Sequence, residues 1–282
     1  MLNAEKLRHA VDWYQLRLRV VWLNLSDRVR GRPVTGEHPV AVSITTHGSR
    51  LSRVHTCIQS IVAGRVRPRR LILWLNGDPD VAVLSAPLRR LQQRGLEVRF
   101  VPNYGPHTKY FPYVKQFAGD QLPLVTADDD GIYAKHWLHG LLMAHQSEPE
   151  HIHCYWARKL TIEGGRIRPY LTWQTVASCE PSNQNFALGV SGVIYPPKFL
   201  MALQQAGEGF KNTCPKADDV WLHAMALRSG YKVRQVGHQH TYPQQIPFTQ
   251  DIALFQTNFL ANGNDAQINA TYTFADIAAM ET

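Results

Sequence analysis

The chain has 282 residues, which suits one large α/β domain or two small ones and allows a sizeable core. Its 44% hydrophobic and 18% charged residues are an ordinary globular balance, and no run of 18 uncharged apolar residues marks a membrane span. Net charge is +8 with a pI near 9.4, which points to anionic partners: nucleotides, nucleic acid or an anionic membrane surface. The four cysteines, Cys57, Cys154, Cys179 and Cys214, form no CxxC pair, so neither a zinc site nor a disulfide framework is indicated and reduced thiols are expected. The charges scattered through the N-terminus make a poor signal peptide.

Residues 1–30 read as one long helix. Leu7, Val11, Tyr14, Leu18, Val21 and Leu25 recur at alternating spacings of four and three, a seam of heptad type. A second apolar set, Trp13, Leu16, Val20 and Leu23, falls on the opposite side, with Lys6, Arg8, Arg17 and Arg19 between the two. Two apolar faces need two burial partners. One is the body of the protein; the other is either a second subunit, giving a homodimer, or an anionic membrane surface. Arg28, Arg30, Gly31, Arg32 and Pro33 end the helix and begin a linker.

Strand and helix patterns then alternate, which argues for parallel strands with helical crossovers. Val40–Ile44 is a strand ending in Thr45, Thr46, His47 and Gly48, and Arg50–Ala63 has helical spacing. Leu71–Leu75 is a second strand, ending at Asn76-Gly77-Asp78, followed by a helix around Val81–Arg94 and a third strand, Leu96–Val101. Between the first helix and second strand lie Arg65, Arg67, Arg69 and Arg70, read as a solvated basic turn.

The segment 121–142, QLPLVTADDDGIYAKHWLHGLL, is the centre of the chain. The apolar run Leu122–Val125 ends in Asp128, Asp129 and Asp130, and a helical pattern follows through Ile132, Trp137, Leu138, Leu141 and Leu142. Ligand sites in open α/β sheets lie at the carboxyl ends of strands. Three acids there repel one another unless something positive sits between them. A hard divalent cation is one candidate, since it takes oxygen ligands and shares them with phosphates. The other reading is that short acids favour helix caps and first turns.

Beyond the acids, His151–Ala157 and Thr161–Tyr170 read as short strands, with Gly164-Gly165 as a hairpin turn. Gly189–Pro197, GVSGVIYPP, is a glycine-punctuated turn leading into a β-like run, suited to close backbone approach or to a bulge. Asp218 and Asp219 open a helix whose apolar face is Val220, Trp221, Ala224 and Leu227, and Tyr231–Val236 is a late strand. The tail from Gly237 reads as a loop with one short helix. Trp173 and Trp221 are candidates for stacking on sugar rings, although helical spacing turns Trp221 toward the core.

Two acidic sites at strand–helix junctions thus lie about ninety residues apart in the sequence. A nucleotide-sugar transferase needs both kinds of carboxylate: one set for the metal that neutralises the departing diphosphate, and a separate one to take the acceptor hydroxyl's proton. A carboxylate at a helix N-terminus is expected to stay ionised at neutral pH.

The stretches VSITTHGSRLSRVHTCIQSI, LILWLN, LPLVTADDDGIYAKHWL, GVSGVIYPP and CPKADDVWLHAMALRSGYKV, in that order, carry a resemblance. The chain resembles bacterial glycosyltransferases of the family 2 type with a GT-A fold, over residues 38–240. The resemblance implies an α/β fold with a mostly parallel central sheet over that span, which the N-terminal helix and linker (1–33) precede and a tail or lid (241–282) follows. It implies nucleotide-sugar binding through Thr45, Thr46, His47, Arg50, Asn76, Lys109, Asp128, Asp129 and Gly192, with Lys115 as the alternative lysine. The DXD motif corresponds to Asp128-Asp129-Asp130 and implies Mg or Mn, held by Asp128 and Asp130, with the late histidines His238 and His240 as further candidate ligands. The paired-acid motif, usually Glu-Asp, is Asp218-Asp219 here, and points to Asp219 as base with Asp218 beside it.

The expected activity is transfer of a sugar from a nucleotide-diphosphate sugar to an acceptor hydroxyl, with inversion. The acceptor would be a surface glycan or a lipid-linked glycan, and the enzyme cytoplasmic, on the inner face of the membrane. One rival is a nucleotidyltransferase that forms nucleotide-sugars, but THGSR is a poor phosphate loop. Another is a basic nucleic-acid-binding protein, for which no recognition signature is present, so no nucleic-acid partner is expected.

Overall fold

The computed structural model describes residues 2–77, 84–247, 249 and 263–281. Helix α1 (Leu2–Arg30) is followed by β1 (His38–Thr45), α2 (Val54–Val62), β2 (Pro68–Asn76), α3 (Ala86–Gln93) and β3 (Leu96–Val101). Next come α4 (Phe111–Phe117), β4 (Leu124–Ala127), β5 (Gly131–Ile132) and α5 (Trp137–Ser147). A run of short strands follows: β6 (Ile152–Cys154), β7 (Ala157–Lys159), β8 (Ile162–Glu163), β9 (Arg166–Ile167), β10 (Gln174–Thr175), β11 (Asn185–Ala187) and β12 (Val193–Tyr195). The last elements are α6 (Pro197–Ala206), α7 (Phe210–Thr213), α8 (Asp218–Arg228), β13 (Val233–Gln235), β14 (Gln244–Gln245), α9 (Gly263–Thr271) and α10 (Phe274–Met280).

Seven strands form the main sheet in the order β13-β6-β12-β4-β1-β2-β3. Only β12 runs against its neighbours, β4 and β6; the other pairs are parallel. The expected α/β architecture, a mostly parallel sheet preceded by a long helix, is the one observed. Side chains alternate across the sheet because the strand period is two. Val42, Ile44, Leu71, Leu73 and Val125 join one core with α2, α3 and α5, while Ala41, Ile72, Trp74 and Leu124 join the other with α4, α6 and α8. Helices on both faces are what near-continuous apolar strands require.

Several sequence expectations shift. Strand β4 begins at Leu124 rather than Leu122, because Pro123 accepts from the Ala41 N–H but has no N–H to continue the ladder. Ile132 lies in β5, paired with β14, so the helix begins only at Trp137. The helix expected over 50–63 is a short 3-10 turn, Gly48–Ser52, followed by α2. The hairpin β8–β9 turns at Gly164-Gly165, both with positive φ (56° and 69°), as a type I′ turn demands. Among its described residues the tail holds two helices, α9 and α10, both packed on α8, and α10 starts with a capping box from Thr273 and Asp276. The start of the expected helix at 81–83, and 250–262 of the tail, lie outside the described residues.

On α1, one apolar set is covered as expected: Leu23 is buried, and half-buried Leu16 and Val20 pack with it on the core beside α2. Trp13 is the exception and stays 43% exposed. Asp27 pairs with Arg94 and lies 3.7 Å from Arg90, tying α1 to α3. The other set, Val11, Tyr14, Leu18, Val21 and Leu25, faces outward. The side chains of Lys6, Leu7, Arg8 and Arg30 lie outside the described ones. Trp173 is buried against Tyr170 and Phe186, and Trp221 is buried against Phe210, so neither ring offers a stacking surface for a sugar.

Candidate active site

Strands β1, β2 and β3 step to one side of the sheet, and β4 starts on the other side of β1. The winding direction therefore reverses between β1 and β4, where open α/β sheets form a crevice at the carboxyl ends of their strands. Thr46 follows β1 and Asp128, Asp129 and Asp130 follow β4, so all four lie at this crevice; Asn76 ends β2 next door.

The positive partner that the three acids require is supplied by the chain itself. Arg50 Nη1 is 3.0 Å from Asp129 Oδ1, and its Nη2 is 3.3 Å from Asp130 Oδ2. The Thr46 hydroxyl donates to Asp129 Oδ2 at 2.5 Å. Lys109 Nζ lies 2.5 Å from Asp128 Oδ1 and 3.6 Å from Asp218 Oδ2. Asp219 Oδ1 accepts the Gly189 N–H at 3.2 Å. The two acidic segments, distant in sequence, thus meet at one lysine, which contacts one acid of each.

Local structure explains these placements. Lys109 ends a 3-10 turn, Gly105–Lys109, and its carbonyl accepts the Ser43 hydroxyl at 2.6 Å, which in turn accepts from Trp74 Nε1 at 2.7 Å. His107 pairs with the Tyr110 hydroxyl and the Cys214 carbonyl, and stacks on Phe210 at 4.0 Å, pinning the lysine's turn to the loop before α8. Sequence reasoning passed over Ser43 and His107; the available signal was a serine inside the apolar strand VSI and a histidine two residues before the lysine. On the acidic turn, the Asp128 N–H donates to the Tyr133 hydroxyl at 2.8 Å, and the Asp128 carbonyl accepts from Cys57 Sγ at 3.2 Å. The segment after β13 closes over the turn: β14 pairs with β5, the Ile246 N–H donates to the Asp130 carbonyl at 2.7 Å, and the Thr249 carbonyl accepts from Arg50 Nε at 2.9 Å.

Glycine matters at two places. A side chain at Gly189 would lie 3.0 Å from Asp219 Oδ1 and 3.3 Å from Lys109 Nζ, so Gly189 is the glycine at the acids. Gly192 has φ of +100°, and the space its side chain would enter is filled by the Trp137 indole, whose nearest atom is at 2.5 Å.

Burial and charge set the proton affinities. Burial, then Asp218, push the Asp219 carboxyl well above its ordinary value, against the pull of Lys109 and the Gly189 N–H. The expectation that a helix N-terminus keeps this acid strongly ionised is therefore overridden by desolvation and a like charge. Burial also raises Asp129, against Arg50 and Thr46. Burial alone would depress Lys109, but Asp128, Asp218 and Asp219 outweigh it and hold its ammonium well above the usual range. Burial and the neighbouring acids push the Cys57 thiol up, which makes it a poor nucleophile.

The remaining candidates are placed as follows. The Thr45 hydroxyl donates to the Trp74 carbonyl at 3.3 Å, and His47 is exposed at the crevice rim. The buried Asn76 Oδ1 has no hydrogen-bond partner among the described residues. Lys115 is exposed on α4 and makes no contact with the acids among those described. His238 Nδ1 pairs with the Ala177 carbonyl at 3.2 Å, and His240 stacks on Trp156 at 4.6 Å. Among the described residues no group of three or more His, Cys, Asp or Glu side chains is arranged to hold a metal. Asp128 and Asp130 would be the carboxylates to hold a hard cation, and here they face Lys109 and Arg50; the histidines are engaged elsewhere.

No protein-family model and no curated protein matches the chain. Among solved structures, it is similar to CMP:2-keto-3-deoxy-manno-octonic acid synthetase complexed with CTP: TM-score 0.45, 10% identity, 80% of this chain and 98% of that one. It is also similar to GalNAc-T7 with UDP, GalNAc and Mn2+: TM-score 0.49 and 12% identity, over 78% of this chain and 47% of that one.

Proposed function

We propose that the chain is a GT-A-type glycosyltransferase that moves a sugar from a nucleotide-diphosphate sugar to an acceptor hydroxyl. The observation that carries this reading is the meeting of Asp128 and Asp218 on Lys109, with Asp219 beside it, at the β1/β4 crevice. Asp128 and Asp130 would hold a Mg or Mn ion, which supplies positive charge for the diphosphate. Lys109 is placed to face the same phosphates, and Thr46, Arg50 and Asn76 line the crevice where the nucleotide would lie.

Asp219 acts as the base. The acceptor oxygen forms a bond to the anomeric carbon as the bond from that carbon to the diphosphate oxygen breaks. The nucleoside diphosphate leaves with the electron pair, and the acceptor proton passes to the Asp219 carboxylate. Burial makes this acid a stronger proton acceptor than an exposed aspartate, and Lys109 opposes part of that rise. Attack opposite the leaving group gives inversion. The acceptor class, a surface or lipid-linked glycan, rests on the sequence resemblance.

The test begins with a thermal-shift screen of UDP, GDP, dTDP and CMP with Mn2+, since a ligand that binds the folded state raises its melting temperature. Asp219→Asn should then keep nucleotide binding and lose roughly 10²–10⁴-fold in transfer with the matching sugar donor. If Asp219→Asn transfers normally and Asp218→Asn does not, the base is Asp218. If both transfer normally, the paired acids are structural and the reading fails.

A further inference from the structure

We propose that the outer face of α1 and the basic turn at 65–69 form one docking surface for an anionic lipid bilayer. Val11, Tyr14, Leu18, Val21, Leu25 and Val29 form an exposed strip along the helix, with Leu18 69% and Val29 82% exposed. The opposite side of the helix is committed to the core through Leu16, Val20 and Leu23. A contiguous apolar strip of this length on a soluble surface marks an interaction site.

The charges decide the occupant. Over the span of the strip and on to Pro33 the acids are Asp12, at its N-terminal end, and Asp27, whose side chain is 4% exposed and turned to Arg94 and Arg90. Arg17, Arg28 and Arg32 are exposed beside the strip. The fold brings further cations to the helix from two distant segments. Lys135 Nζ lies over the Trp22 ring at 5.6 Å, the Arg65 N–H donates to the Lys135 carbonyl at 2.7 Å, and Arg67 Nη1 donates to the Pro33 carbonyl at 2.9 Å. The turn that reads from sequence as merely solvated is thus placed against the end of the helix. A second copy laid on this strip by two-fold symmetry would bring arginines against arginines, with no exposed acid between Tyr14 and Pro33 to answer them. Anionic headgroups answer them directly, and an apolar strip bordered by Trp, Tyr and Arg suits the headgroup–acyl boundary.

This surface is joined to the acidic crevice. Arg19, on the inner side of the same helix, donates to the Tyr133 carbonyl at 2.7 Å and to Gln244 Oε1 at 3.1 Å, and these residues follow the acidic turn and pair with it.

The full chain is sedimented with phosphatidylcholine vesicles, with and without phosphatidylserine. It should bind the phosphatidylserine vesicles, bind the neutral ones far less, and release as salt is raised. Arg28→Gln and Arg65→Gln should each lower the partition coefficient about fivefold. The pair Leu18→Gln and Leu25→Gln, both exposed and so tolerated by the fold, should lower it about tenfold or more. Equal binding to neutral vesicles, no binding at low salt, or no loss in these variants overturns the proposal. So does a wild-type dimer in solution that Leu18→Gln/Leu25→Gln converts to monomer, because a second copy then covers the strip.

Discussion

Replacing Lys109 by Met isolates the charge that holds the two acid pairs together. Methionine fills nearly the same volume and keeps the aliphatic packing, so the substitution removes the ammonium and little else. The lysine side chain is 12% exposed, and its partners Asp128 and Asp218 are 24% and 13% exposed. Removing one partner of a buried ion pair costs about 3–5 kcal/mol, because the other charge stays buried and uncompensated. Water reaches Asp128, which places this site near the lower end, at about 3 kcal/mol. At about 2.1 cal/mol/K of unfolding entropy per residue, that lowers the melting temperature of a 282-residue chain by roughly 5 °C. Calorimetry at pH 7 in EDTA gives the measurement, with exposed Lys115→Met as a control that should melt like the wild type. Adding Asp128→Asn to Lys109→Met should recover part of the loss, since one uncompensated anion is gone. A Lys109→Met protein that melts within about 2 °C of wild type would refute the argument, and so would a double variant in which the two losses simply add.

Two further predictions concern the scaffold. Burial pushes His153 and His223 down to about 4, so the folded chain holds both neutral while the unfolded chain protonates near 6.5. The unfolded state therefore binds more protons between those values, and stability that is full above about pH 6.5 falls as the pH drops toward 4, by up to about 3 kcal/mol per histidine. Urea midpoints across that window should show the slope, and an unchanged slope in His153→Gln/His223→Gln would sink the assignment. Gly192→Ala should cost well over 2 kcal/mol, because a positive φ and the Trp137 ring both oppose a side chain. Gly164→Ala, with positive φ but open space, should cost about 1 kcal/mol; equal melting losses would show that the close approach to Trp137 carries no weight.

Most of the sheet was legible because its signals are local. Val40–Ile44 and Leu71–Leu75 are runs buried on both faces, Leu96–Val101 is a half-buried edge strand, and each appears as a parallel strand where the pattern places it. The Gly164-Gly165 turn was legible for the same reason. Pieces that depend on a distant partner were not. Ile132 continues a helical spacing, yet it pairs with Gln244, more than one hundred residues on. Trp13 shares a helix face with Leu16, Val20 and Leu23, but the body that covers those three does not reach it.

The acids show the same limit more sharply. Asp128–Asp130 and Asp218–Asp219 stand out in the sequence, and their placement at strand and helix ends follows from the flanking patterns. What decides their chemistry is which cations reach them, and that is set by residues with no local signature. Arg50 comes from a 3-10 turn after β1, and Lys109 from another turn fixed by Ser43 and His107. A helix-terminus argument makes Asp219 an ordinary ionised acid, whereas desolvation and Asp218 make it the more basic group. Among the described residues, Arg50 faces Asp129 and Asp130, and Lys109 faces Asp128 and Asp218. A nucleotide diphosphate entering this crevice, as proposed, would add its charge to these carboxylates, and that is the physical reason the proposed reading pairs it with a cation.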